Sequence, residues 1–274
     1  MNNLINYFSD FQPVTLALLA TVFTWLMTAL GAACIFLFKK IHRGVFDGML
    51  GFTGGIMVAA SIWSLLIPAI EISEHQYPDF PWMPAAVGFV AGALFLFFLD
   101  KRLPHLHINF DKNETEGVKT NWHHSTLLML AITLHNIPEG LAVGIAFGAA
   151  AQGLDGATFA AAISLAVGIG IQNLPEGFAV AMPLRRSGLS RFKSFWYGQM
   201  SAIVEPIAGV IGAVAVMQVS AILPFALAFS AGAMIFVVVE EVIPETQRDK
   251  YTDLAVLGFI GGFVLMMILD VALG

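Results

Sequence analysis

The stretch His135-Asn136-Ile137-Pro138-Glu139-Gly140 decides the fold, because it is nearly repeated at Gln172-Asn173-Leu174-Pro175-Glu176-Gly177 and because of where both copies stand. The hexapeptides agree at four of six positions, with an Ile/Leu exchange at a fifth. Each lies near the middle of an apolar run, approximately 124–149 and 157–184. Apolar runs of about 20 residues cross a bilayer as helices. Neither run alternates polar and apolar residues, so neither reads as a barrel strand.

Six further runs of the same kind flank this pair, at approximately 13–38, 45–70, 83–100, 194–217, 222–243 and 252–273. The chain therefore reads as an all-α integral membrane protein of eight transmembrane helices, a single transmembrane domain over 1–274. Composition agrees: 58% of the 274 residues are hydrophobic, only 12% are charged, and the mean hydropathy is +0.80. Soluble domains carry roughly 25% charged residues, so a soluble fold would lack the polar sequence to cover its core. The net charge of −6 is modest, and no basic patch marks a nucleic-acid partner. The single cysteine, Cys34, allows no intrachain disulfide. No secretory signal is evident, since Met1 to Pro13 holds no basic residue.

Topology follows from the thirteen Lys and Arg residues. They all fall in alternate connections: Lys39, Lys40 and Arg43; Lys101, Arg102, Lys112 and Lys119; Arg185, Arg186, Arg191 and Lys193; Arg248 and Lys250. By the positive-inside rule those connections are cytoplasmic and both termini face outward. The cytoplasmic loop at about 101–123 is polar and, with the start of the next span, holds His105, His107, His123 and His124.

The spacing within the hexapeptides carries chemistry. On a helix His135, Asn136 and Glu139 share one face, as do Gln172, Asn173 and Glu176. Each proline removes a backbone N–H and frees a carbonyl four residues earlier, so helices four and five are expected to kink there. The following glycine admits another backbone or an ion. Consecutive spans run antiparallel, so one copy is inverted against the other, an arrangement that builds midplane substrate sites in many secondary transporters. Glu205 in the sixth span adds a third carboxylate. A charge at a helix centre costs roughly 3 kcal/mol, so three unpaired would cost on the order of 9 kcal/mol, comparable with an entire folding free energy of about 5–15 kcal/mol. No Lys or Arg lies deep in a span to offset them; protons, water or metal must. Three carboxylates, an imidazole and several amides suit one or two divalent ions, with carboxylates bridging a pair about 3.5–4 Å apart.

These hexapeptides, Ser201-Ala202-Ile203-Val204-Glu205-Pro206 and the eight-span layout resemble the ZIP (Zrt/Irt-like) metal transporters, particularly the GufA-like branch. The resemblance covers nearly the whole chain. It implies alternating-access transport of divalent metal into the cytoplasm across a cell (inner) membrane, often by dimers, with zinc first among cargoes and iron, manganese or cadmium as others. It implies a binuclear site. One ion would bind His135, Glu139, Gln172 and Glu176, with Met57 nearby; the other Asn136, Glu139, Asn173, Glu176 and Glu205. Many members have histidine where this chain has Gln172, and an amide oxygen is the weaker zinc ligand. The resemblance also implies a route, with Ser64 and Glu71 on the outer approach and Asp100, Glu240 and Glu241 receiving the ion on exit.

Other classes fit less well. A membrane metalloprotease would need His-Glu-x-x-His, which is absent, and the chain is not expected to be an enzyme. A proton-coupled carrier of organic ions would use the carboxylates for protons alone. An ATP-driven pump would need a phosphate-binding glycine loop, also absent.

Overall fold

The computed structural model describes residues 12–38, 42–104, 124–153, 157–186, 188–248 and 250–273. Among them eight long helices follow one another: α1 Pro13–Phe36, α2 Arg43–Gln76, α3 Trp82–Arg102, α4 His124–Ala150, α5 Phe159–Arg186, α6 Arg191–Gln218, α7 Ser220–Thr246 and α8 Thr252–Leu273. Seven of these are apolar and long enough to cross a membrane by length and composition; α4, at 27 residues, is of the same length. Local chemistry sets several ends. Pro13 opens α1 and Pro224 the α-helical part of α7, positions where the missing N–H would have no helical partner. The His42 ring accepts from the Gly44 amide at the start of α2, and Ser190 Oγ accepts from the Lys193 amide at the start of α6, each satisfying one orphan donor.

The helices are not uniform. α4 and α5 continue as α-helix through Pro138 and Pro175. The irregularities fall in three other helices. α2 takes π geometry over Ser61–Leu66, just before Pro68, and α7 does so over Val238–Val242, just before Pro244. α6 breaks at residues 201–203, before Pro206. In each case a proline that cannot donate follows the irregular turn, which is where the backbone must give up its regular ladder.

Packing pairs α2 with α8, α3 with α7, α1 with α5 and α4 with α6. That pattern maps onto itself when α1 exchanges with α6, α2 with α7, α3 with α8 and α4 with α5. It also divides the bundle into two groups of four, α1/α4/α5/α6 and α2/α3/α7/α8. The seams within pairs are closed by glycines. A Cβ on Gly140 would lie 2.5 Å from the Glu205 carbonyl oxygen, and one on Gly177 would lie 2.0 Å from that of Thr28. The hexapeptide glycines thus admit a neighbouring backbone.

Every described Lys and Arg stands at or beyond the same end of the bundle: the start of α2, the end of α3, the end of α5, the start of α6 and the end of α7. This basic end gives the bundle its polarity.

Candidate metal centre

The two hexapeptides meet Glu205 in the middle of the bundle, and every polar group they bring there comes from the α1/α4/α5/α6 group. Glu139, Gln172, Asn173 and Glu205 are fully buried and Asn136 is 1% exposed. Gln172 Nε2 donates to Glu139 Oε1 at 2.5 Å. Asn173 Nδ2 donates to both oxygens of Glu205, at 2.9 and 3.1 Å, and to the Thr24 carbonyl at 3.1 Å. The Thr24 hydroxyl donates to Glu205 Oε2.

Glu205 owes its position to the break in α6. Residues 201–203 turn with backbone bonds back three or four residues, and Glu205 falls in the first turn of the following helix. A carboxylate there is stabilised by the positive end of that helix. Trp25 Nε1 donates to the Gln199 carbonyl at 2.9 Å, which ties α1 to the residues leading into the break.

The unmade bonds are as informative. Five buried atoms of this cluster have no hydrogen-bond partner: Glu139 Oε2, Gln172 Oε1, Asn173 Oδ1, and both Oδ1 and Nδ2 of Asn136. Leaving a buried polar atom unpaired costs about 1–3 kcal/mol, and four of the five are oxygens able to hold a cation. By contrast both oxygens of Glu205 are already engaged. Among the described residues no three His, Cys, Asp or Glu side chains stand together closely enough to hold an ion by themselves. Any ion held here would draw on the amides as well.

The centre opens toward the basic end. A cavity of about 40 Å³ there is lined by Leu50 and Thr53 of α2, His135 of α4, Glu176 of α5, and Glu241 and Val242 of α7, among others. That is room for more than one water, given a need of about 10–15 Å³ each. Glu176 and His135 thus join the buried cluster to the cavity, and His135 Nδ1 lies 3.4 Å from Glu241 Oε2. Thr53 Oγ1 donates to the Gln172 carbonyl at 3.4 Å.

The remaining residues singled out from sequence lie elsewhere. Met57 is 1% exposed in the main apolar core with Ile56, Ala60 and Leu65. Ser64 is in the opposite half of α2, beside a smaller cavity, and donates to Asp270 of α8 at 2.8 and 2.9 Å. Glu71 is exposed one turn from the end of α2, and Glu240 is half-buried on α7. Asp100 is buried at the end of α3, its carboxylate 3.9 Å from Lys101 Nζ. Asp100 and Glu240 do not line the cavity at the basic end. His105, His107 and His123 lie outside the described residues, as does the His124 side chain.

Two participants were not evident from sequence, Thr24 and Asp270. Threonine blends into an apolar helix, and Thr24 also serves its own backbone, bonding the Thr21 carbonyl at 2.9 Å. Its worth to Glu205 is testable. Thr24→Val should lower stability by about 1.5–3 kcal/mol, the range for a hydrogen bond to a charged group. Thr28→Val, which removes only a 3.4 Å bond to the Thr24 carbonyl, should cost less than half as much in thermal unfolding of the detergent-solubilised protein.

Eight apolar helices around a buried centre of carboxylates and amides make a multi-pass membrane protein of the transport kind. The chain belongs to the ZIP family: the family described as ZIP zinc transporter matches residues 111–270. It is similar to zinc transporter ZIP11 of Xenopus tropicalis, at 41% identity across 96% of this chain and 99% of the relative. It is 37% identical to zinc transporter GufA of Myxococcus xanthus, across 94% and 98% of the two chains, and 36% identical to zinc transporter ZIPB of Bordetella bronchiseptica, across 90% and 78%. These are transporters, not enzymes.

Proposed function

We propose that this protein carries zinc through the bundle into the cytoplasm, using a binuclear site built by the two hexapeptides and Glu205. The observation that carries the reading is the set of buried oxygens without partners, on Asn136 and Glu139 of α4 and Gln172 and Asn173 of α5, with no basic side chain hydrogen-bonded to them. The names of the relatives supply zinc as the cargo.

The atoms sort into two sets. Glu139 Oε2 and Gln172 Oε1 form one set with His135 and Glu176, the two of the four that line the cavity, and Met57 is the neighbour that the family resemblance adds. Asn136 and Asn173 Oδ1 stand with Glu205 deeper in. Glu139 and Glu176 serve both sets. The hydrogen bonds to Glu139 and Glu205 fix ligand orientation, as second-layer bonds do in metal sites generally. Iron, manganese and cadmium are weaker candidates; a carboxylate-amide set is less selective for zinc than one rich in imidazole.

Release follows the cavity toward the basic end, which the positive-inside rule makes cytoplasmic, leaving both termini outside a cell (inner) membrane. Glu241, which lines the cavity, is the first carboxylate on that path; Asp100 and Glu240 are the further exit residues, and Ser64 and Glu71 the opposite approach, that the family resemblance adds. Kinks at Pro138 and Pro175 and relative motion of the two four-helix groups supply alternating access, and the protein works as a homodimer. The test is uptake of radioactive zinc into proteoliposomes. Wild type should show saturable flux, and Glu139→Ala/Glu176→Ala should show none above empty vesicles. Equal flux in both would remove the proposal. Flux of organic ions driven by pH and indifferent to every transition metal would favour the proton-coupled alternative.

A further inference from the structure

In the sequence Arg43 is only a topology signal, yet its side chain turns back into the bundle. It opens α2, and Asp47 follows four residues later on the same face. Arg43 Nε lies 2.7 Å from Asp47 Oδ1. Its Nη2 lies 2.6 Å from Oε1 of Glu245, at the end of α7, and also donates to the Glu245 carbonyl at 3.2 Å. Asp47 is fully buried and Glu245 is 3% exposed. Arg248 is a more distant partner, its Nη1 4.0 Å from Glu245 Oε2. One guanidinium therefore spans two buried carboxylates on two helices, using separate donors of its planar fork for each.

The place matters as much as the pairing. One turn deeper on the same helices, Leu50 of α2 and Glu241 and Val242 of α7 line the cavity that reaches His135 and Glu176. Asp47 and Glu245 are thus the next carboxylates toward the basic end along these two walls of the path. Two buried carboxylates from facing helices would hold a divalent cation if nothing else neutralised them.

We propose that Arg43 is a positioning residue for release: its guanidinium stands as a resident cation between Asp47 and Glu245, so that an ion leaving the central site is not retained at the rim. This rests on the transport reading above. The guanidinium offsets one of the two carboxylate charges directly, and Arg248 stands 4.0 Å from Glu245 to offset the other, so the cargo passes without a further binding step.

The test compares wild type, Arg43→Gln, Arg43→Lys and the charge-neutral Arg43→Gln/Asp47→Asn/Glu245→Gln. Zinc per chain is counted on the full-length protein after gel filtration in detergent, and zinc flux is measured in proteoliposomes. Arg43→Gln should retain one more zinc than wild type and turn over about tenfold more slowly, the effect of roughly 1.4 kcal/mol of added retention. The triple variant should lose the extra ion and regain most of the flux, and Arg43→Lys should keep the wild-type ion count. An Arg43→Gln protein with no additional zinc, or a triple variant as slow as Arg43→Gln, would overturn the proposal and leave the pairing a structural tie. The ion count needs no flux, so failure of the transport reading would register separately, as a wild type that carries no zinc.

Discussion

Gly177→Val is expected to leave little folded protein, seen as loss of the monodisperse gel-filtration peak of the detergent-solubilised chain. A Cβ at this position would stand 2.0 Å from the Thr28 carbonyl oxygen, 2.8 Å from its carbon and 2.9 Å from the Ala32 nitrogen. All three are backbone atoms of α1, so no rotamer change relieves the clash and the helices must part. Overpacking a core costs typically 1–3 kcal/mol and sometimes more; here the strain falls one turn from Asn173, which is bonded to Glu205 and to the Thr24 carbonyl. Parting α1 from α5 would therefore also loosen the centre. Gly261→Ala is the control, because a Cβ there meets nothing within 4 Å, and its peak and unfolding temperature should match wild type. A Gly177→Val protein of normal yield and stability would show that the α1–α5 seam can open without loss.

The spans were legible because bilayer thickness sets a length that hydropathy alone reveals. The interior irregularities were harder to see. Pro68 and Pro206 each follow a break inside an apolar run, so a hydropathy reading passes through both, whereas Pro244 lies just past the seventh run and the irregular turn at Val238–Val242 falls at that run's end. Pro138 and Pro175 are equally visible in sequence and lie in continuous helix, so a proline alone does not say which form the backbone takes.

In the centre, Asn136, Glu139, Gln172, Asn173 and Glu176 could be read from their spacing because each set of polar side chains is local to one helix. Glu205 stood out as a carboxylate in an apolar run. Thr24 could not be found that way. Its bond joins residues 181 positions apart, and only the docking of α1 against α6 creates it. The same holds for Asp270, which meets Ser64 across 206 positions, and for Arg43, which meets Glu245 across 202.

On the proposed binuclear site, Glu139→Ala should abolish binding of both zinc ions, whereas Glu205→Ala should abolish one. The difference follows from how the two carboxylates are held. Glu139 gives one oxygen to Gln172 Nε2 and keeps the other buried without a partner, and the proposed binuclear site gives it to both sets. Removing it takes a ligand from each and releases the Gln172 amide, whose oxygen then loses its orientation. Losing one charged ligand and its ordering effect from both sets should weaken binding at least 100-fold, the upper part of the range seen when even outer-layer partners of a metal are removed. Glu205 belongs to the deeper set alone, and its oxygens are already engaged by Asn173 and Thr24. Its loss leaves Glu139 Oε2, Gln172 Oε1, Glu176 and His135 in place. Isothermal titration of zinc into each variant counts the ions directly. Two ions in wild type, one in Glu205→Ala and none at micromolar zinc in Glu139→Ala is the expected series. Equal loss in both single variants would mean one ion shared by all the ligands, because a carboxylate confined to one of two sites cannot empty the other.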